Sequence, residues 1–185
     1  MRVIAGESKG HPLKWPKVPH IRPTSERVRE AIFSSLETLL VDWSRTVDLY
    51  AGTGALGIEA LSRGGGNADF VEKNPRCCSL IKDNLRATGL IQRAQVHCLD
   101  AVRALAILEG PYNLVLLDPP YEDFSRDKIL EEIVNSRLVD EKSVIVMEHS
   151  SRWAPETAYG HFQTVRTIRH GDTRVSIFRC TRREN

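Results

Sequence analysis

A chain of 185 residues with 41% hydrophobic and 27% charged residues is long enough for one domain with a sizeable core, and no apolar run reaches the roughly 20 residues of a membrane span. The N-terminus lacks a secretory apolar stretch, Cys77, Cys78, Cys98 and Cys180 form no CxxC pair, and the six histidines show no metal-ligand spacing, so a cytoplasmic protein without metal is expected. The net charge is +2, yet residues 1–30 hold seven Lys/Arg against three acids and residues 161–183 hold six Arg against one, a pattern that points to a polyanion and away from a membrane.

In chain order, residues 1–22 mix short apolar pieces with Gly6, Gly10, Pro12, Pro16 and Pro19, which predicts a small β-hairpin extension. Residues 23–185 read as the main domain. Thr24 or Ser25 caps a helix in which Val28, Ala31, Ile32, Leu36, Leu39 and Leu40 follow helical spacing. From residue 45 strands and helices alternate. "RTVDLY" is a strand, a Gly-rich turn and a helix over 55–63 follow, and "ADFVE" is the second strand. A helix opens at Pro75, "AQVHCL" is the third strand, and a helix over 101–109 leads to the strand "YNLVLL". A helix over 126–136 and the strand "SVIVME" continue the rhythm, and "FQTVRTIR" and "TRVSIFRC" flank a turn at His170-Gly171-Asp172. The alternation predicts an α/β fold with a doubly wound, mostly parallel seven-stranded sheet ending in an antiparallel hairpin.

Ligands of such sheets gather at the carboxyl ends of the strands, and three of these ends carry acids. Asp48 precedes Gly52, Gly54 and Gly57, a GxGxxG spacing ahead of a helix; Glu72 ends the second strand and Asp100 the third. A carboxylate entering the loop would repel the pyrophosphate of a dinucleotide but suits a ligand with an ammonium group. S-adenosylmethionine has that group, with a ribose that Glu72 can bind. A methyltransferase is therefore favoured over a nicotinamide dehydrogenase.

The fourth strand ends in "DPPY". An exocyclic amine on a base is a poor nucleophile because its lone pair is delocalised into the ring. Two fixed acceptors, the Asp118 carboxylate and the Pro119 carbonyl, can draw its hydrogens toward a tetrahedral arrangement. Pro119 and Pro120 hold that corner still, and Tyr121 can stack on the base.

The blocks "RVIAG", "RPTSERVREAIF", "DLYAGTGALGIEALSRG", "VEKN", "LLDPPY" and "GDTRVSIFR" resemble the RsmD family of 16S rRNA guanine-N2 methyltransferases over nearly the whole chain. The family has Tyr where this sequence has His170. The resemblance implies a Rossmann-like class I fold and S-adenosylmethionine as cofactor. It places Asp48, Tyr50, Ala51, Gly52, Thr53 and Gly54 on the methionine part, Glu72 on the ribose and Asp100 near the adenine amine, with Lys73 and Ala101 also at the cofactor. Asp118, Pro119, Pro120 and Tyr121 would hold the target base, with Asp118 also beside the cofactor. Arg2, Lys9, Lys14, Lys17, Arg22, Thr24 and Arg27 would meet the RNA. The implied partner is 16S rRNA within a partly assembled small subunit, met by a monomer. An adenine-N6 methyltransferase uses the same corner, and a non-catalytic RNA-binding assembly factor is the alternative of another class.

Overall fold

The computed structural model describes residues 1–15, 24–120 and 126–181. Lys17, Arg22 and Tyr121 lie outside the described residues. Helix α1 (Glu26–Thr38) starts at Ser25, whose hydroxyl accepts from the Val28 amide at 3.2 Å. There follow β1 (Arg45–Leu49), α2 (Ala55–Ser62), β2 (Asn67–Val71) and α3 (Pro75–Ala87), the last capped by Asn74 with Pro75 in its first turn. A single 3-10 turn (Ile91–Arg93) leads into β3 (Ala94–His97), followed by α4 (Ala101–Ile107), β4 (Leu114–Leu117) and α5 (Arg126–Val134). The chain continues with β5 (Val144–Ser150), β6 (Ala158–Tyr159), β7 (Phe162–His170) and β8 (Thr173–Cys180).

Among the described residues, eight strands form one sheet in the order β3-β2-β1-β4-β5-β8-β7-β6. The five strands β1 to β5 are parallel, and β8 enters antiparallel between β5 and β7. The expected seven strands become eight because the two-residue β6 pairs with the start of β7 at the sheet edge. A segment so short carries no periodic signal. The order reverses between β1 and β4, which opens a crevice beyond their carboxyl ends.

Every residue of β4 is buried, as a central parallel strand covered on both faces requires. Leu114 and Leu116 pack with Val28, Ile32 and Leu36 of α1, whereas Val115 and Leu117 pack with Leu130 and Ile133 of α5. One α1 residue breaks the apolar stripe: Arg29 is fully buried, with Nη1 donating to the Thr24 carbonyl and Nη2 to the Arg2 carbonyl.

The N-terminal segment is a hairpin reduced to a single antiparallel bridge, Arg2 with Pro12, flanked by the bonds Val3 N–H to His11 C=O and Leu13 N–H to Met1 C=O. Its proline-interrupted sequence cannot sustain a ladder. It is built into the main body: Val3 and Leu13 are buried with Ile58, Leu61 and Leu85. The amides of Ile4 and Ala5 donate to the two carboxylate oxygens of Glu59 at 2.9 and 3.0 Å. Gly6 has φ +83°, and a Cβ there would lie 1.7 Å from the Ser62 carbonyl oxygen. Only glycine fits.

Candidate active site

Asp48 ends β1 almost fully buried (1% exposed), and its Oδ2 accepts from the Gly57 amide at 2.9 Å. Burial pushes its carboxyl up to about 7, the Gly57 hydrogen bond opposes this, and the Glu72 charge adds to it. After β1 the chain turns through Tyr50, which adopts φ +63°, and Ala51, whose amide donates to the Val71 carbonyl. Glu72 then ties the loop to β2. Its Oε2 accepts from the Gly52 amide at 2.9 Å and its Oε1 from the Asn74 amide at 2.8 Å.

The glycines of the loop have separate tasks. At Gly52 a Cβ would meet only the Tyr50 carbonyl oxygen, 3.9 Å away, so the backbone faces open space that a ligand can approach. At Gly57 a Cβ would lie 2.4 Å from the Phe70 ring, so this glycine lets α2 pack closely on β2. Thr53 is buried, with its carbonyl turned to the Asn84 amide of α3. Lys73 is exposed beside Glu72. Asp100 caps α4: its Oδ1 accepts from the Arg103 amide at 2.9 Å, and its Oδ2 lies 3.4 Å from the Arg103 guanidinium. Ala101 packs into the core beneath it. S-adenosylmethionine fits these residues, with an open glycine backbone, a carboxylate for the ribose and a second carboxylate under the loop.

On the other side of the crevice, Leu49 is level with Leu117, so Asp118 follows β4 beside Tyr50. Asp118 is half-buried, Pro119 buried and Pro120 exposed. Oδ2 of Asp118 accepts from the Thr24 hydroxyl at 3.1 Å. Thr24 is itself buried (6% exposed), so its hydroxyl is a fixed partner of the Asp118 carboxylate. The described basic residues expected at the RNA are at the surface. Arg2 pairs with Glu26, Lys14 lies 3.6 Å from Asp83, and Lys9 and Arg27 are exposed. Among the described residues no group of three or more His, Cys, Asp or Glu could hold a metal, and no helix is long and apolar enough to cross a membrane.

Two residues of this region were not singled out from the sequence. Leu117 is level with Met147, which places Glu148, two residues before the end of β5, level with Asp118. Glu148 is 6% exposed and lines a cavity of about 320 Å³ with Ser25 and Val28 on one side and the turn His170–Thr173 on the other. Arg29 is the second: burial pulls its guanidinium down from the ordinary value, opposed by the charges of Glu59, Glu26 and Glu148. The signal for Glu148 was an acid closing an apolar run, the same signal that marks Asp118.

Residues 1–179 match the family described as Conserved hypothetical protein 95. The chain is 36% identical over 182 residues to "Putative rRNA methyltransferase YlbH" of Bacillus subtilis (strain 168), covering 97% of this chain and 98% of that one. It is 38% identical over 135 residues to "Ribosomal RNA small subunit methyltransferase D" of Escherichia coli (strain K12), covering 73% of this chain and 65% of that one. The solved "Putative methyltransferase yhhF" from Escherichia coli superposes with a TM-score of 0.84 at 29% identity, covering 97% of both chains. The chain therefore belongs to the Conserved hypothetical protein 95 family, the RsmD family of methyltransferases.

Proposed function

We propose that this protein methylates the exocyclic N2 amine of a guanine in small-subunit ribosomal RNA, with S-adenosylmethionine as donor. The observation that carries the reading is Asp118, held by Thr24 at the tip of β4 and level with the start of the glycine loop. The names of the relatives, rRNA and small-subunit rRNA methyltransferases, supply the substrate class.

When bound, the cofactor supplies an electrophilic methyl group. Gly52 and Glu72 orient its ribose and methionine parts toward the crevice. Asp118 and the Pro119 carbonyl accept the two N–H groups of the target amine, which turns its lone pair out of the ring plane and toward the methyl. The Thr24 hydroxyl fixes the Asp118 carboxylate before the base arrives, so no reorganisation is needed as the amine becomes positive. Asp118 also stabilises that charge. The methylated amine is acidic and loses its proton to Asp118 or to water. Arg2, Lys9, Lys14 and Arg27 would meet RNA phosphates, with Lys17 and Arg22 extending the same basic segment, and the protein would act as a monomer on a partly assembled particle.

Transfer of a tritium-labelled methyl group to small-subunit RNA and particles, followed by nucleoside analysis, tests this. The label is expected in N2-methylguanosine; label in N6-methyladenosine would assign the corner to another base. Mass mapping of rRNA from cells lacking the gene locates the nucleotide.

A further inference from the structure

We infer that Glu148 reads the base: its carboxylate accepts the N1–H of the guanine whose N2 amine sits at Asp118. This rests on the guanine-N2 reading above and names the residue that would make the choice.

The two carboxylates are placed by the sheet. Leu117 is level with Met147 on parallel neighbours, so Asp118, just past β4, and Glu148, within β5, stand at the same height. Two residues earlier, Leu116 and Val146 both pack on the α1 side of the sheet. Side chains alternate along strands, so Asp118 and Glu148 emerge on that side too. The contacts agree, because Thr24 bonds Asp118 while Ser25 and Val28 share a cavity with Glu148.

A carboxylate that is 6% exposed is costly to bury unless its charge is compensated. Arg29, wholly buried and anchored through both Nη groups to main-chain carbonyls, supplies a positive charge that acts on Glu148 after Glu59 and Glu26. Glu148 thus stands on the wall of a cavity of about 320 Å³, between Ser25 and Val28 of the α1 start and the turn His170–Thr173.

An ionised carboxylate only accepts hydrogen bonds. The Watson–Crick edge of guanine places the N1–H donor next to the N2 amine, whereas adenine places the N1 lone pair next to its N6 amine. The corner at Asp118 and Pro119 serves either amine. Glu148 separates them, since it bonds guanine N1–H and repels the adenine lone pair. Adjacent strands stand about 4.8 Å apart, which suits two acceptors meeting two neighbouring donors on one edge.

The test uses small-subunit rRNA assembled by ligation, with guanine or 2-aminopurine at the mapped nucleotide, supplied as naked RNA and as reconstituted particles. 2-Aminopurine keeps the N2 amine but carries a lone pair at N1. The wild-type protein is expected to favour guanine by at least about 100-fold in kcat/KM, in line with a site built around one buried hydrogen bond. Glu148→Gln can turn its amide N–H toward the N1 lone pair, so its preference should move toward 2-aminopurine by at least about tenfold while cofactor affinity holds. A purely structural Glu148 would not move that ratio. Equal wild-type rates on the two bases, or an unchanged ratio in a folded Glu148→Gln variant, overturn the assignment. If that variant does not fold, the wild-type ratio decides alone. N2-methylation without discrimination against 2-aminopurine removes Glu148 and leaves the function standing; label found only on adenine removes both.

Discussion

At Asp48, burial ties the protonation of a side chain to the stability of the fold. In the unfolded chain its carboxyl ionises near 3.8, and in the folded protein at about 7. Between these values the unfolded state has lost the proton that the folded state keeps, so this residue makes stability fall as pH rises from about 4 to 7. Asp48→Asn retains an oxygen for the Gly57 amide, and its unfolding midpoint in denaturant should vary less with pH across that window. A cationic ligand group beside Asp48 favours the ionised form. Cofactor binding at pH 6 is therefore expected to release a proton, seen as a buffer-dependent calorimetric enthalpy that disappears in Asp48→Asn. At the other acid, Asp118→Ala should fold and bind cofactor normally, because β4 is anchored by Val115, Leu116 and Leu117. Its single-turnover methyl transfer should slow by roughly 10²–10³, comparable to removing one preorganised partner of developing charge. Asp118→Asn should fall between the two. A native rate in the alanine variant would move the chemistry elsewhere.

At the scale of an element, the loop between β1 and α2 separates packing from ligand approach within six residues, Gly52 to Gly57. Gly57→Ala drives a methyl group into Phe70, and overpacking of this kind costs about 1–3 kcal/mol. Its thermal midpoint should drop. Gly52→Ala meets open space but holds φ +55°, a left-handed backbone that costs roughly 1–2 kcal/mol for a residue with a Cβ. Its added methyl also faces the ligand, so calorimetry should show cofactor affinity falling further than stability does. If both variants lose only stability, the loop is a packing device and the cofactor lies elsewhere.

Across the whole molecule, the parallel sheet was legible because its strands are short apolar runs set between helical patterns and acids. The strand Ala158–Tyr159 was not, since two residues carry no alternation. The bond from Thr24 to Asp118 was not legible either, because it spans 94 residues and exists only once α1 docks on the sheet. Arg29 was hidden for the same reason: one cation in an apolar stripe has meaning only once its carbonyl partners are in place. The basic N-terminal segment was legible as charge, but its pairing was not, and Arg2 and Lys14 each have an acid nearby. RNA affinity should still fall linearly with log salt, and Lys14→Glu should make the slope shallower by about 0.7 for a single-stranded contact. An unchanged slope would place the phosphates on another face.

The insertion of β8 between β5 and β7 sets an order of assembly. The strand that carries Glu148 cannot complete its hydrogen bonding until Thr173–Cys180 has been synthesised. Until then β5 is an open sheet edge, and the turn that walls the Glu148 cavity has no support. A chain that ends before Thr173 can pair β1 to β4 and form the glycine loop, yet the wall that His170–Thr173 gives the Glu148 cavity is missing. Translation arrested before Thr173 should therefore yield chains prone to edge-to-edge association, and the cavity closes only with the last strand.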